Sequence, residues 1–236
     1  MEEHSISIIV PLYNEGAGAG QMLDHLLAVA PGRQVIVVDA SDELASMAAM
    51  AELSQSISGR DCFRIVEAQR AGRASQMNQG AAMATGNILL FLHCDTRLNP
   101  QSLDQIENAV GSGSRWGRFD IRLDAHGGIY RIIEFMMFLR SRLRRLATGD
   151  QGMFMESALF KEVGGFPDIA LMEDVALSRK LSRYRPVVIG EAITTSARRW
   201  QNRGPVRTII LMWKLRLMFW LGVSPAKLNQ LYGDER

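Results

Sequence analysis

Four short runs of mostly branched apolar residues, each separated from the next by a helix-like stretch, constrain this chain more than any other feature. The first, Ile6–Leu12, reads ISIIVPL and is followed at once by Tyr13, Asn14 and Glu15. The second covers 35–38 and ends at Asp39, the third covers 63–66, and the fourth, ILLFL at 88–92, runs into His93, Cys94 and Asp95. Between them, residues 18–30 place Met22, Leu23, Leu26, Leu27 and Ala30 on one helical side, 44–53 are rich in Ala and Met, and 74–84 stop at the glycine-marked end Thr85-Gly86. Runs this uniformly apolar need cover on both faces, which helices on either side of a parallel sheet provide. The predicted fold is an α/β domain with a largely parallel central sheet flanked by helices. In such sheets ligands bind beyond the carboxyl ends of the strands. The segment after the first strand, Asp39 and Asp95 should therefore converge on one crevice.

The second half is less regular. Trp116–Leu123 alternates like a strand, and Glu173-Asp174 open a helix carrying Leu177, Leu181 and Tyr184. Residues 129–146 form an amphipathic helical stripe rich in arginine at its end, with Arg140, Arg142, Arg144 and Arg145. The apolar stretch 208–221 is interrupted by Lys214 and Arg216. A spanning helix needs about 20 apolar residues, and a central Lys or Arg costs roughly 2.5–3.5 kcal/mol, so neither segment is predicted to span a membrane. Packing against the core with a basic solvent face is preferred over lying on an anionic membrane surface, and peripheral membrane contact stays open. No repeat, low-complexity tract or linker divides the chain, which reads as one domain over 1–236.

Composition narrows the function classes. At 236 residues with 47% hydrophobic and 22% charged residues, the chain can bury a sizeable core and is not a disordered segment. A net charge of +2 gives no argument for a nucleic-acid partner, and none is expected. Cys62 and Cys94 lie in unrelated contexts without a CxxC spacing, which fits a reducing, cytoplasmic compartment better than a disulfide or zinc framework. Glu2, Glu3 and His4 precede only a short apolar run, unlike a signal peptide.

Individual residues then suggest chemistry. A carboxylate at the tip of a buried strand, such as Asp95, suits a hard divalent cation that also grips phosphate oxygens, although a turn-forming Asp is the simpler reading of that residue alone. Asp39 can accept hydrogen bonds from a nucleobase or ribose, or merely cap the next helix. Arg73 can pair with a diphosphate, and Arg70 and Asn78 flank it. Asp174 opens a helix whose dipole and amides favour the ionised form, as a general base or an ordinary N-cap requires. Gly149, Asp150 and Gln151 form a polar loop suited to acceptor contacts. Arg199 and Trp200 offer a cation and a ring for a departing diphosphate.

Taken in order, these pieces resemble family 2 glycosyltransferases of the GT-A fold. The matching stretches are IIVPLYNE (8–15), VIVVDASDE (35–43), GRASQMNQGAAMATGNILLFLHCDT (72–96), GGF (164–166), EDV (173–175) and RRW (198–200). GDQGMF (149–154), LMEDV (171–175) and TTSARRW (194–200) are similar to a small bacterial subgroup labelled arsenosugar-biosynthesis glycosyltransferases. The resemblance implies transfer of a sugar, with inversion, from a nucleoside-diphosphate sugar to an acceptor hydroxyl. It implies that Asp39 binds the donor base or ribose and that Asp95 holds Mn2+ or Mg2+ on the diphosphate. Asp174 would be the catalytic base. Further donor contacts are implied at Pro11, Tyr13, Glu15, Arg73 and Asn78, and at Arg199 and Trp200. Acceptor contacts are implied at Glu173 beside Gly149, Asp150 and Gln151. The donor would occupy a half of about 1–110 and the acceptor a half of about 111–236.

Three departures from the family pattern are visible. His93 stands where the first acid of D-x-D is found, Ser196 where the Gln of Q-x-x-R-W is found, and the VVDASDE stretch (37–43) is one residue shorter than the usual D-x-G-S-x-D turn. Among alternatives, a sugar nucleotidyltransferase lacks support because no G-x-G-T-R-like loop follows the first strand, and Gly16, Gly18 and Gly20 lack the dinucleotide GxGxxG spacing. A weakly active or inactive nucleotide-binding protein at a membrane surface is the rival from another class.

Overall fold

The computed structural model describes residues 5–57 and 59–233; Glu2, Glu3 and His4 lie outside them. The four apolar runs form β1 (Ile6–Leu12), β2 (Gln34–Asp39), β3 (Phe63–Glu67) and β4 (Ile88–Phe91), joined through α1 (Ala17–Val29), α2 (Leu44–Ser56) and α3 (Arg73–Met83). There follow β5 (Thr96–Arg97), α4 (Ser102–Gly111), β6 (Trp116–Leu123), α5 (Gly128–Arg144), β7 (Met153–Glu156), α6 (Ser157–Glu162) and α7 (Glu173–Lys180). The described chain ends with β8 (Val187–Thr195), α8 (Arg198–Arg203), α9 (Pro205–Trp220) and α10 (Pro225–Gly233).

All eight strands share one sheet in the order β3-β2-β1-β4-β7-β6-β8-β5. β1 pairs in parallel with β2 and with β4, and β2 with β3. β7 then runs antiparallel to both β4 and β6, and β8 is parallel to β6. Only β7 and β5 oppose the common direction, so the sheet is mixed yet largely parallel, as the apolar runs suggest. The reversal at β7 decides the geometry of the site. An antiparallel strand begins where its neighbour ends: Met153 of β7 sits opposite Phe91 of β4. The turn before β7 and the segments after β1, β2, β4, β6 and β8 therefore all reach the same edge.

Alternation in β1 splits the interior into two layers. Ile6, Ile8, Val10 and Leu12 face a core shared with Met22 and Leu26 of α1, Ile106 of α4 and Ile133 of α5. Ile9 faces the opposite core, with Met77 of α3, Leu159 of α6 and Leu177 of α7. α3 lies so close to β1 that a Cβ on Gly80 would stand 2.5 Å from Ile9 Cγ2, which explains a glycine in mid-helix. Pro11 is tolerated in a central strand for a geometric reason. Ile9 accepts a hydrogen bond from Leu92 on the β4 side, so the N–H that Pro11 lacks would point past the last β1–β4 pair.

The two amphipathic segments correct one expectation. α5 buries Ile133 and Met137, and α9 buries Thr208, Leu211 and Leu215, so each does pack by one face. Their opposite faces are not simply basic: Phe135 and Leu143 on α5, and Trp213 and Trp220 on α9, are exposed. No helix among the described residues is long and apolar enough to cross a membrane.

Candidate active site

Loops rather than strands build the site, and hydrogen bonds fix each of them. After β1 the chain turns through Asn14, whose φ of 53° is left-handed. Asn14 accepts from the N–H groups of Asp42 and Glu43 at 3.0 and 3.2 Å and donates from its own N–H to Ser41 Oγ at 2.9 Å. Asp39 Oδ1 accepts from the hydroxyl and the N–H of Ser41 at 2.6 and 3.1 Å. Tyr13 is exposed and donates its hydroxyl to Asp42 at 3.1 Å, which with Asn14 holds that surface carboxyl below its ordinary range. Beneath this loop Gln76, buried in α3, donates to the carbonyls of Leu12 and Val38 at 2.6 and 2.8 Å, tying the ends of β1 and β2 together.

β4 delivers His93, Cys94 and Asp95 to the adjoining position. Burial raises the pKa of Asp95, and the carboxylates of Glu15 and Asp150 raise it further, while Arg199 and Arg73 oppose them. Glu15 itself pairs with Arg198 at 3.3 Å and accepts from the Cys94 thiol, whose pKa burial drives up. His93 is half-buried beside Arg73 and Arg199, and desolvation first and then Arg73 lower its pKa to about 3, so it is neutral at physiological pH. The sequence position that usually carries an acid thus carries a neutral ring. That ring packs against the turn of the other half: a Cβ on Gly149 would lie 2.3 Å from His93 Nε2.

The turn Gly149–Gln151 is a short 3-10 helix closed by a capping box between Thr148 and Gln151. Thr148 donates its hydroxyl to Asp150 at 2.5 Å, and Gly149 donates its N–H to Asp174 Oδ2 at 2.9 Å. Asp174 also accepts from the Val175 N–H at 2.6 Å. Burial raises the pKa of Asp174 and nearby Asp150 adds to the rise, but the two N–H groups and Arg216 work against it. Its neighbour Glu173 is buried and pushed up to about 7, first by burial and then by the charge of Asp174, with Arg73 opposing. Both acids follow Met172, a non-glycine residue at φ 69°, so the chain enters α7 through a strained residue at the site.

Most of the residues nominated from the sequence therefore meet. Glu15, Arg73, Asp95, Asp150, Glu173, Asp174 and Arg199 are linked by mutual charge effects at one edge of the sheet. Asp39 lies on the β2 side, tied through Ser41 to the Asn14 turn. Trp200 is half-buried and packs on the core beneath, and Pro11 is buried in β1. Two nominated residues are turned elsewhere. Asn78 uses both ends of its amide on the backbone of Phe166, at 2.9 and 3.0 Å, and so anchors the Gly164-Gly165-Phe166 loop. Gln151 is buried beneath its turn, accepting from the Thr148 N–H at 3.0 Å and Ser141 Oγ at 3.2 Å.

Sequence reasoning missed Gln76 as the clamp, and it missed Arg140 and Arg216. Both arginines lie within the fields of Asp150 and Asp174, and burial lowers the pKa of each, that of Arg216 to about 10. Polar residues on otherwise buried helix faces were the only available signal. Two concavities, about 430 Å³ between β6 and α5 and about 540 Å³ around Arg183 and Tyr184, lie away from these carboxylates.

An α/β sheet with acids and arginines gathered beyond its strand ends defines a GT-A-type glycosyltransferase fold, and the solved structures agree. TarS 1-349 from S. aureus matches with a TM-score of 0.65 at 17% identity, over 82% of this chain and 60% of that one. The mannosyltransferase PcManGT from Pyrobaculum calidifontis, solved with GDP-Man and Mn2+, matches with a TM-score of 0.61 at 19% identity, over 83% of this chain and 57% of that one. TarS 1-349 in complex with UDP-GlcNAc matches with a TM-score of 0.64 at 18% identity, over 81% of this chain and 58% of that one. No curated protein sequence matches. The chain belongs to glycosyl transferase family 2, whose model matches residues 7–159. It spans 60% or less of the length of these structural relatives.

Proposed function

We propose that this chain transfers a sugar from a nucleoside-diphosphate sugar to an acceptor hydroxyl, with inversion at the anomeric carbon. The observation that carries the reading is the meeting of Asp95, Arg73 and Arg199 with Asp150, Glu173 and Asp174, residues remote in sequence, at one sheet edge. Family membership and the nucleotide-sugar complexes of the structural relatives support it. The donor half of about 1–110 supplies Glu15, Asp39, Arg73 and Asp95, and the acceptor half of about 111–236 supplies Gly149, Asp150, Glu173 and Asp174. Arg199 crosses from the second half to the donor side, where its charge acts on Asp95.

Asp39 and the exposed Tyr13 are suited to the base and ribose, at the β2 side of the crevice. Arg73 and Arg199 neutralise the diphosphate as negative charge develops on it. Among the described residues no cluster of three or more His, Cys, Asp or Glu is arranged to hold a metal. The chemistry of Asp95 still fits one: a half-buried carboxylate raised by desolvation and two like charges gains from a cation, and Mg2+ or Mn2+ is commonly held by one or two carboxylates plus substrate phosphates. Bound there, the ion would neutralise the leaving diphosphate. Asp174 takes the acceptor hydroxyl proton. The N–H groups of Gly149 and Val175 hold its oxygens in place and favour the ionised form. Glu173 and Asp150 flank the acceptor. The two unpaired cysteines are consistent with a cytoplasmic setting.

A thermal-shift screen of nucleoside diphosphates and their sugars, with and without Mn2+, identifies the donor by selective stabilisation. Calorimetry on Asp95→Ala then tests the site. Metal-dependent affinity for that nucleotide is expected to fall by ~100-fold, a loss of about 2.7 kcal/mol. Equal binding by wild type and variant, in both the presence and absence of metal, would remove Asp95 from the role.

A further inference from the structure

On the face of α9 turned away from its packing contacts, Val206, Ile210, Trp213, Leu217 and Trp220 recur every three or four residues. Each is exposed, Trp213 by 60% and Trp220 by 69%. The helix does not need this stripe to pack. Leu211 and Leu215 already fill a separate small core with Met172, Val175, Leu228 and Tyr232. A helix at rest against a soluble protein shows polar residues on its outer face, and a contiguous apolar stripe there marks a surface that is covered in use.

Charge identifies the cover. From Arg198 to Gly233 the chain holds seven Lys or Arg and no Asp or Glu. Arg207 and Lys214 are exposed within α9 itself. A second copy would meet this face with its own, bringing Lys214 of the two copies together with no acid on α9 to offset it. A bilayer with anionic headgroups answers both features: the stripe enters the headgroup boundary, the basic residues meet lipid charge, and Trp rings favour that depth. α5 also exposes apolar residues, but two of its arginines, Arg142 and Arg131, are held by Asp120 of β6 and by Glu134.

We infer that α9 is a peripheral membrane-docking helix that lies on anionic lipid through its Val206–Trp220 stripe and basic flanks. Leu217 adjoins Arg216, whose charge acts on Asp174, so docking sets the acceptor side of the crevice about one helix diameter, ~10 Å, from the lipid.

The test uses the full chain with phosphatidylcholine vesicles, with and without about one-third phosphatidylglycerol, the fraction chosen to give a negative surface potential. Co-sedimentation with the anionic vesicles only, weakened by salt, is expected. Brominated lipid should quench the emission of Trp213 and Trp220, while the buried Trp116 is spared. Trp213→Glu with Leu217→Glu is expected to lower partitioning by at least ~10-fold. Their side chains are exposed, so the thermal midpoint should not move. No binding to anionic vesicles, or equal binding by the double variant, would overturn the inference. So would a lipid-free dimer that Leu217→Glu dissociates, which would assign the stripe to a second copy.

Discussion

The half built on β3-β2-β1-β4 and the half built on β7, β6 and β8 place charged groups at the same edge by different means. In the first, side chains follow straight on from buried parallel strands, so the sheet itself sets where Glu15 and Asp95 stand. In the second, turns rather than strand ends place the acids: Asp150 and Asp174 are positioned by a three-residue capped turn, two backbone N–H groups and a left-handed Met172. Both halves bring carboxyls whose pKa burial raises: Asp95 follows a strand end, while Glu173 and Asp174 open a helix. The two meet at one seam, where His93 touches Gly149.

Gly149→Ala attacks that seam and should have the largest effect on the comparison. The new methyl would stand 2.3 Å from His93 Nε2, so the ring or the turn has to shift to admit it. A loss of ~1–3 kcal/mol in chemical denaturation is expected, together with loss of transfer activity. An unchanged midpoint and full activity would mean the halves are not in register through this contact.

Glu173→Gln probes the second half alone. A carboxyl raised from 4.5 to about 7 keeps its proton in the folded state while the unfolded chain has already released it. Between those values the folded state binds more protons, so this group makes stability fall as pH rises, by at most ~1.4 kcal/mol per pH unit. His93, lowered from 6.5 to about 3, acts oppositely over its own window, where stability rises with pH. The variant retains the His93 contribution and loses that of Glu173. The stability of Glu173→Gln relative to wild type should therefore increase from pH 4.5 to 7 and level off above it. A flat difference would contradict the assigned environment.

Gln76→Leu sharpens the contrast from the first half. It removes two hydrogen bonds from the ends of β1 and β2, although the Leu12 carbonyl keeps its bond from Ala40. The expected cost is ~1 kcal/mol, toward the low end for a buried unsatisfied group, with nucleotide affinity lowered more than turnover. Equal damage to both would show that the halves do not divide the work.

The same contrast governs what the sequence discloses. β1 to β4 are legible because continuous Val, Ile and Leu runs separated by helices admit few other folds. β7 and β8 are not: MFME is too short to distinguish from a buried helix, and VVIGEAITT carries Gly190 and Glu191 in its middle. Without β7 the convergence of Gly149 on His93 has no visible cause. Polar residues mislead in both directions, because their role depends on the side to which the backbone turns them. Asn78 and Gln151 look like ligand contacts and serve as internal braces. Gln76, Arg140 and Arg216 look like ordinary helix surface and stand at the site or directly under it.

The most direct test of the shared edge is Asp174→Asn, measured for turnover and nucleotide binding in one preparation. If the second half supplies the base and the first half grips the nucleotide, kcat falls by ~10²–10⁴-fold while nucleoside-diphosphate affinity stays within about threefold. Turnover close to wild type, or loss of nucleotide affinity equal to the loss of kcat, would contradict it.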